Sequence, residues 1–163
     1  MKITPMQNIK YIVVHCSATR ATTDIGVKEI AAMHRKKGWR TIGYHYVVRR
    51  NGKLERGRPE NEPGAHVMGH NGHSLGIVMV GGVKADGFSA ETNFTEAQYV
   101  ELRALLTTLK AKYPAAQIVG HRDLSPDRNG NGRVEKGEWV KDCPTFNVSA
   151  WFRGITMPDV YPS

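Results

Sequence analysis

A chain of 163 residues with 40% hydrophobic and 23% charged residues has the size and composition of one globular domain with a buried core, which excludes a disordered or fibrous polypeptide. No apolar run approaches the roughly 20 residues of a membrane span, and the opening MKITPMQNIKYIVVH holds no apolar signal core before a small-residue cleavage site. The formal charge of +8 implies a polyanionic partner such as bacterial cell wall or nucleic acid, or simply a solvated basic surface. The basic residues are scattered and no nucleic-acid motif accompanies them, so nucleic acid is not expected as a partner.

Residues 9–16 read as a buried strand, a β-branched apolar run ending in His15-Cys16-Ser17. Successive strand residues point to opposite faces, so Cys16 is expected to face away from any site built on His15 and to act as a small core residue. Gly26 to Lys37 reads as a helix with Val27, Ile30, Ala31 and His34 on one face, stopped by Gly38. His34 is expected to be packed or capped there. Gly43 to Arg50 reads as a strand, turned by Asn51-Gly52 into a short partner at Lys53 to Arg56. Arg58 to Ser74 is a long polar loop carrying His66, His70 and His73, and loops of that length are often functional. Leu75 to Val80 is a strand too apolar to face water on either side.

Thr95 followed by Gln98 is a capping-box pattern, and Tyr99, Leu102, Leu106, Leu109 and Tyr113 then fall at helical spacing as a core stripe ended by Pro114. Gln117 to His121 is a short strand delivering His121, and Val148 to Ile155 a small terminal helix. The order β-α-β-β-β-α-β-α predicts a single α/β domain with a central mixed β-sheet flanked by helices.

The stretch from Gly120 to Pro144 opens on His121 and closes on Lys141 and Cys143. His121 and Cys143 are too far apart for a zinc finger, and no CxxC accompanies them. They form a metal site only if a third ligand arrives from elsewhere, and His15 is the best candidate. Two histidines and a cysteine leave a fourth tetrahedral position open, as catalytic zinc requires. A Cys16–Cys143 disulfide is the competing use of the two cysteines.

The blocks YIVVHCSAT, GWRTIGYHYVVRRNG, GAHVMGHNGHSLGIVMVGG, NFTEAQ, GHRDL and KDCPTFNV occur in an order that resembles the type 2 N-acetylmuramoyl-L-alanine amidases, which include short phage amidases and peptidoglycan-recognition proteins. The resemblance runs from about Lys10 to Trp151. It implies a zinc-dependent hydrolase that cuts the amide between N-acetylmuramic acid and L-alanine, with peptidoglycan as partner. Carried over by position, it implies His15, His121 and Cys143 as zinc ligands, Tyr44 as the catalytic tyrosine and Lys141 as the lysine required for activity. His66 falls in a block near the substrate groove and is expected to contact substrate or to support a ligand. His70 and His73 would line the rim of that groove, and Arg122 is a candidate for peptide carboxylates. His45, next to Tyr44 on a strand, is expected to point to the other face.

A non-catalytic recognition module is the alternative, since recognition members of the family lack the zinc cysteine. Cys143, Tyr44 and Lys141 together favour the enzyme. A minimal chain of this kind suits a monomeric phage or prophage endolysin, made in the cytoplasm and acting on the cell wall after release.

Between Leu124 and Trp139 the sequence departs from the short phage members. Asp127, Asn129, Asn131, Gly132, Arg133, Glu135 and Glu138 fit D-x-[DN]-x-[DN]-G-x₅-E, the EF-hand calcium loop. Pro126 and the lack of a preceding helix argue against a full EF-hand, and Arg128, Arg133 and Lys136 reduce the local negative charge. Two readings stay open: a structural calcium loop that orders the segment carrying Lys141 and Cys143, or an Asn-Gly turn held by side-chain hydrogen bonds without an ion. The expected organisation is one zinc amidase domain over residues 1–163 with an EF-hand-like insert at 125–139.

Overall fold

The computed structural model describes residues 8–162; most of the N-terminal stretch read for a signal core lies outside them. Ten regular elements follow one another: β1 (Tyr11–Cys16), β2 (Thr19–Arg20), α1 (Val27–Lys36), β3 (Tyr46–Val48), β4 (Leu54–Arg56), β5 (Ser74–Met79), β6 (Gly82–Val83), α2 (Glu96–Lys112), β7 (Gln117–Gly120) and α3 (Val148–Phe152). The main sheet has the order β4-β3-β5-β1-β7. Its strands are parallel except for β4, which pairs antiparallel with β3, so the sheet is mixed as expected. Among the described residues no helix is long and apolar enough to cross a membrane.

Strands β1 and β5 occupy the middle of the sheet because their sequences can be buried on both faces. On one face Ile12, Val14, Cys16, Leu75, Ile77, Met79, Tyr46 and Val48 pack with Leu102, Leu105, Leu106 and Leu109 of α2 and Val148 and Trp151 of α3. On the other, Val47, Val78 and Val80 meet Ile30 and Ala31 of α1. Helix α2 starts where Thr95 and Gln98 make the expected capping box. Gln98 is fully buried, and its Nε2 also donates to the carbonyls of Val48 and Val80 at 3.2 and 3.0 Å. One side chain therefore joins the helix start to the carboxyl ends of two strands.

The structure departs from the sequence reading in several places, including β7, which ends at Gly120 and not at His121. The strand expected over Gly43 to Arg50 shrinks to Tyr46–Val48, because the Tyr44 and His45 carbonyls accept from Arg58 and Gly57, and that of Gly43 accepts from Ala65. The loop after β4, rather than a strand, covers this segment. The last helix ends at Phe152, with Gly154 at φ +77° turning the chain away. The two-residue pair β2–β6 is too short to leave a hydrophobic pattern. The hairpin turn is as read: Gly52 has φ +85°, and a Cβ there would lie 2.7 Å from the Ala97 carbonyl oxygen.

The capping box yields a stability prediction. Gln98→Ala leaves two buried carbonyls short of a donor and should cost about 2–3 kcal/mol, against about 1 kcal/mol for Thr95→Ala. Urea unfolding at unchanged m-value measures both; a loss below about 0.5 kcal/mol for Gln98→Ala would remove the bridging role.

Candidate metal centre

The parallel strands point their carboxyl ends at one edge of the sheet, the usual place for a site in such folds. Val14 of β1 lies opposite Gly120 of β7, so the next residues, His15 and His121, emerge side by side with ring centroids 4.5 Å apart. His121 opens a short 3-10 turn, His121–Leu124, fastened by a 2.8 Å hydrogen bond from the Gly120 N–H to Asp123 Oδ2. The chain then leaves through the insert and returns to place Cys143 under β1. There the Cys16 N–H donates to Cys143 Sγ at 3.0 Å, and the Arg122 N–H donates to the Cys143 carbonyl at 2.8 Å. One ligand atom from each of His15, His121 and Cys143 lies within 4.8 Å of the others. This cluster can hold a metal ion, and two imidazoles with one thiolate suit a borderline-soft divalent cation.

The electrostatics agree with ligation. Burial first, then neighbouring positive groups including Lys141, holds the His15 pKa well below its ordinary value. Burial and Lys141 lower that of His121 too. Both rings therefore carry free lone pairs at neutral pH. The hydrogen bond with the Cys16 thiol, followed by burial, pushes the Cys143 thiol up, so metal binding must displace a proton from it. Both cysteines are free, and no disulfide joins them. Cys16 is a core residue as expected, but it does not lie away from the site. Its backbone and thiol touch Cys143, which reaches the strand end from the α2 side of the sheet.

Tyr44 stands beside the cluster, its ring 5.1 Å from that of His15, and burial keeps its phenol protonated by raising the pKa. Lys141 is exposed and lines a groove of about 250 Å³ with Val67, Met68, His121, Leu124 and Val140. The cation and the metal cluster thus share one wall, and the rest of the groove is largely apolar.

The other candidates separate. His66 Nδ1 lies 2.8 Å from His15 Nε2, and its Nε2 lies 3.1 Å from Ser74 Oγ. Burial, more than any neighbouring charge, pushes its pKa down to about 3. Both ring nitrogens are engaged within the protein, so of the two expected roles the geometry favours ligand support over substrate contact. His45 does not turn to the opposite face; its ring lies 5.9 Å from that of His66, and it accepts from the Gly76 N–H. Strand alternation lapses because residues 43–45 are not in a strand. His34 is packed as expected, its Nδ1 accepting from the Gly43 N–H at 2.8 Å. His70 and His73 contact each other and Tyr11, at the far end of β1 from His15. Arg122 is turned inward, 3.9 Å over the Trp139 ring and 3.2 Å from Asp142; it ties the base of the insert and has only 11% of its side chain exposed.

Within the insert, Asp127 accepts from the Gly130 and Gly132 N–H groups at 3.1 and 2.7 Å. Asn129 and Asn131 accept from the second residue after each. Glu138 reaches back to the N–H groups of Arg128 and Asn129, and Glu135 bonds to the Asn131 amide. Arg133, the expected carbonyl ligand, is exposed.

Comparison with known proteins gives the same picture. Residues 5–144 match the family model described as N-acetylmuramoyl-L-alanine amidase. The endolysin of Klebsiella phage KP32 is 41% identical over 152 residues, 93% of this chain and 91% of that one. The endolysin of Escherichia phage T7 is 39% identical over 141 residues, covering 86% and 83%. Among solved structures, the N-acetylmuramoyl-L-alanine amidase LysC from Clostridium intestinale aligns over 95% of this chain and 89% of its own, with a TM-score of 0.68 and 29% identity. With the family model covering most of its length and three side chains able to hold a metal gathered at one sheet edge, this chain belongs to the N-acetylmuramoyl-L-alanine amidase family.

Proposed function

We propose that this protein is a zinc-dependent peptidoglycan amidase of the endolysin type, cleaving the amide between N-acetylmuramic acid and L-alanine. The observation that carries the reading is the His15, His121 and Cys143 cluster, with Tyr44 packed on His15 and Lys141 on the groove beside His121. Residues 1–163 act as one amidase domain, with 125–139 an insert within it. Kinship with phage endolysins supports synthesis in the cytoplasm and action on the wall after release.

When bound, zinc supplies a Lewis acid for the scissile carbonyl and acidifies a water in its open coordination position. The chain's own side chains do the rest. The groove between Val67, Met68 and Val140 gives the substrate an apolar bed and aligns its amide with the ligand cluster. Lys141 places a positive charge where the carbonyl oxygen becomes negative in the tetrahedral transition state. Tyr44, protonated and packed on His15, would orient the attacking water and relay the proton that the water gives up to the leaving nitrogen, which regenerates the phenol. A recognition module would need none of these groups together.

We propose further that the insert binds calcium through Asp127, Asn129, Asn131, the Arg133 carbonyl, Glu135 and Glu138. In support, backbone donors hold the Glu138 carboxyl below the usual carboxylate range, so it is anionic at neutral pH. The ion would stiffen the segment that carries Lys141 and Cys143.

Three measurements test these readings. Digestion of purified peptidoglycan should release L-alanine amino termini without new reducing sugars, be abolished by a zinc chelator and recover with zinc; binding without new ends would establish the recognition module instead. Lys141→Ala should lower kcat about 10²–10³-fold and Tyr44→Phe at least about 10²-fold, with zinc content unchanged by metal analysis. After calcium-free dialysis with zinc in excess, added calcium should raise the melting temperature of the wild type but not of Asp127→Ala; an equal rise in both would remove the calcium site.

A further inference from the structure

The His66 ring does not sit at the chemistry, yet its surroundings fix it on every side. Its backbone N–H and that of Val67 both donate to Asn71 Oδ1, at 2.9 and 3.0 Å. Its ring lies flat over Gly76 of β5, where a Cβ would come within 2.6 Å of His66 Cγ, and against Gly64, where a Cβ would come within 2.6 Å of His66 Cδ2. Two glycines in two different segments thus leave room for this one imidazole.

The hydrogen bonds that follow run in one direction. The Ser74 hydroxyl donates to the His70 carbonyl at 2.7 Å, and a carbonyl can only accept. The Ser74 oxygen, 3.1 Å from His66 Nε2, is therefore left to accept, and His66 carries its proton on Nε2. Its Nδ1 is then a bare lone pair, 2.8 Å from His15 Nε2. A bond at that distance requires the proton to sit on His15 Nε2. The remaining nitrogen of His15, Nδ1, keeps its lone pair.

Resting on the zinc reading above, we propose that His66 is a positioning residue: through the chain His70 carbonyl, Ser74, His66, it fixes the tautomer and ring orientation of His15 so that Nδ1 is the ligating atom. An N–H donated from a ligating imidazole to a second group is a recurrent feature of metal sites and raises the basicity of the ligand. Here the acceptor is a neutral imidazole locked by a serine, in place of a carboxylate. The arrangement adds no negative charge to the site, so Cys143 remains its only anionic ligand.

The test separates this role from general packing. Metal-free protein, ¹⁵N-labelled at histidine, should show His15 as the Nε2–H tautomer by long-range ¹H–¹⁵N correlation. His66→Ala should give a mixture of tautomers and bind zinc about 10–100-fold more weakly in chelator competition. His66→Asn places an amide oxygen near the position of Nδ1 and should restore most of the affinity, while Ser74→Ala should produce a smaller loss. KM for a soluble muropeptide at saturating zinc should stay within about twofold of wild type, because the ring offers substrate no free nitrogen. A wild-type His15 protonated on Nδ1, or equal losses for His66→Ala and His66→Asn, would overturn the proposal. If His66→Ala does not fold, the wild-type tautomer and the asparagine and Ser74 variants still decide it. Failure of the wild type to take up zinc would remove the zinc reading instead, leaving the tautomer in the metal-free protein as a separate result.

Discussion

The double-sided pairing of β1 is the constraint on which the metal centre rests. All six residues of β1 are in register with β5, and Tyr11 to Val14 are in register with β7. A shift of one residue would drive His15 into the apolar layer under α2 and bring Cys16 to the opposite face, so the buried core itself enforces the register. The position of His121 follows from the same pairing, since it is the first residue after β7 stops. Two of the three candidate ligands are thereby set by backbone geometry alone, and Cys143 depends on a long return of the chain.

Around that edge the fold gathers side chains that are aromatic or hydrogen-bonding but uncharged. Rings of His15, Tyr44, His34 and Trp39 touch in sequence, edge to face at both ends and tilted between Tyr44 and His34, and His66 and His45 close the rear. Desolvation keeps these imidazoles neutral and the phenol protonated. A site of neutral donors favours a cation far more than one already carrying positive imidazolium groups would. Lys141 approaches from the solvent side, where water would screen its repulsion from a bound cation.

Much of this was legible in the sequence, and the failures have physical causes. The apolar runs of β1 and β5 and the stripe of α2 are periodic enough to read directly, and Thr95 with Gln98 marked the helix start correctly. The clustering of His15, His121 and Cys143 was reachable because two histidines that end strands and one cysteine fall in blocks that resemble a known family. Strand alternation held at Cys16, whose side chain is on the α2 face, but Cys143 arrives on a loop from that same side; it failed at His45, because residues 43–45 have left the strand. Arg122 looked available for substrate because its packing against Trp139 depends on where the insert returns, which no local pattern encodes. For His66 the sequence left substrate contact and ligand support both open, because the gap that Gly76 makes in an otherwise bulky strand gains meaning only when the ring that fills it is known.

The inward turn of Arg122 has a consequence for how such a chain tolerates change. Its backbone N–H holds the Cys143 carbonyl, while its guanidinium covers Trp139 and meets Asp142. These contacts clamp the two stems of the insert together below the loop. Closing a flexible loop costs only about 0.6 kcal/mol for each doubling of its length, so residues 126–138, between the clamped stems, could be shortened, lengthened or exchanged for a sequence with another affinity without moving His121 or Cys143. The clamp makes the insert a replaceable cassette: a place where an ion dependence can be added to or removed from a hydrolase whose reacting groups stay where they are.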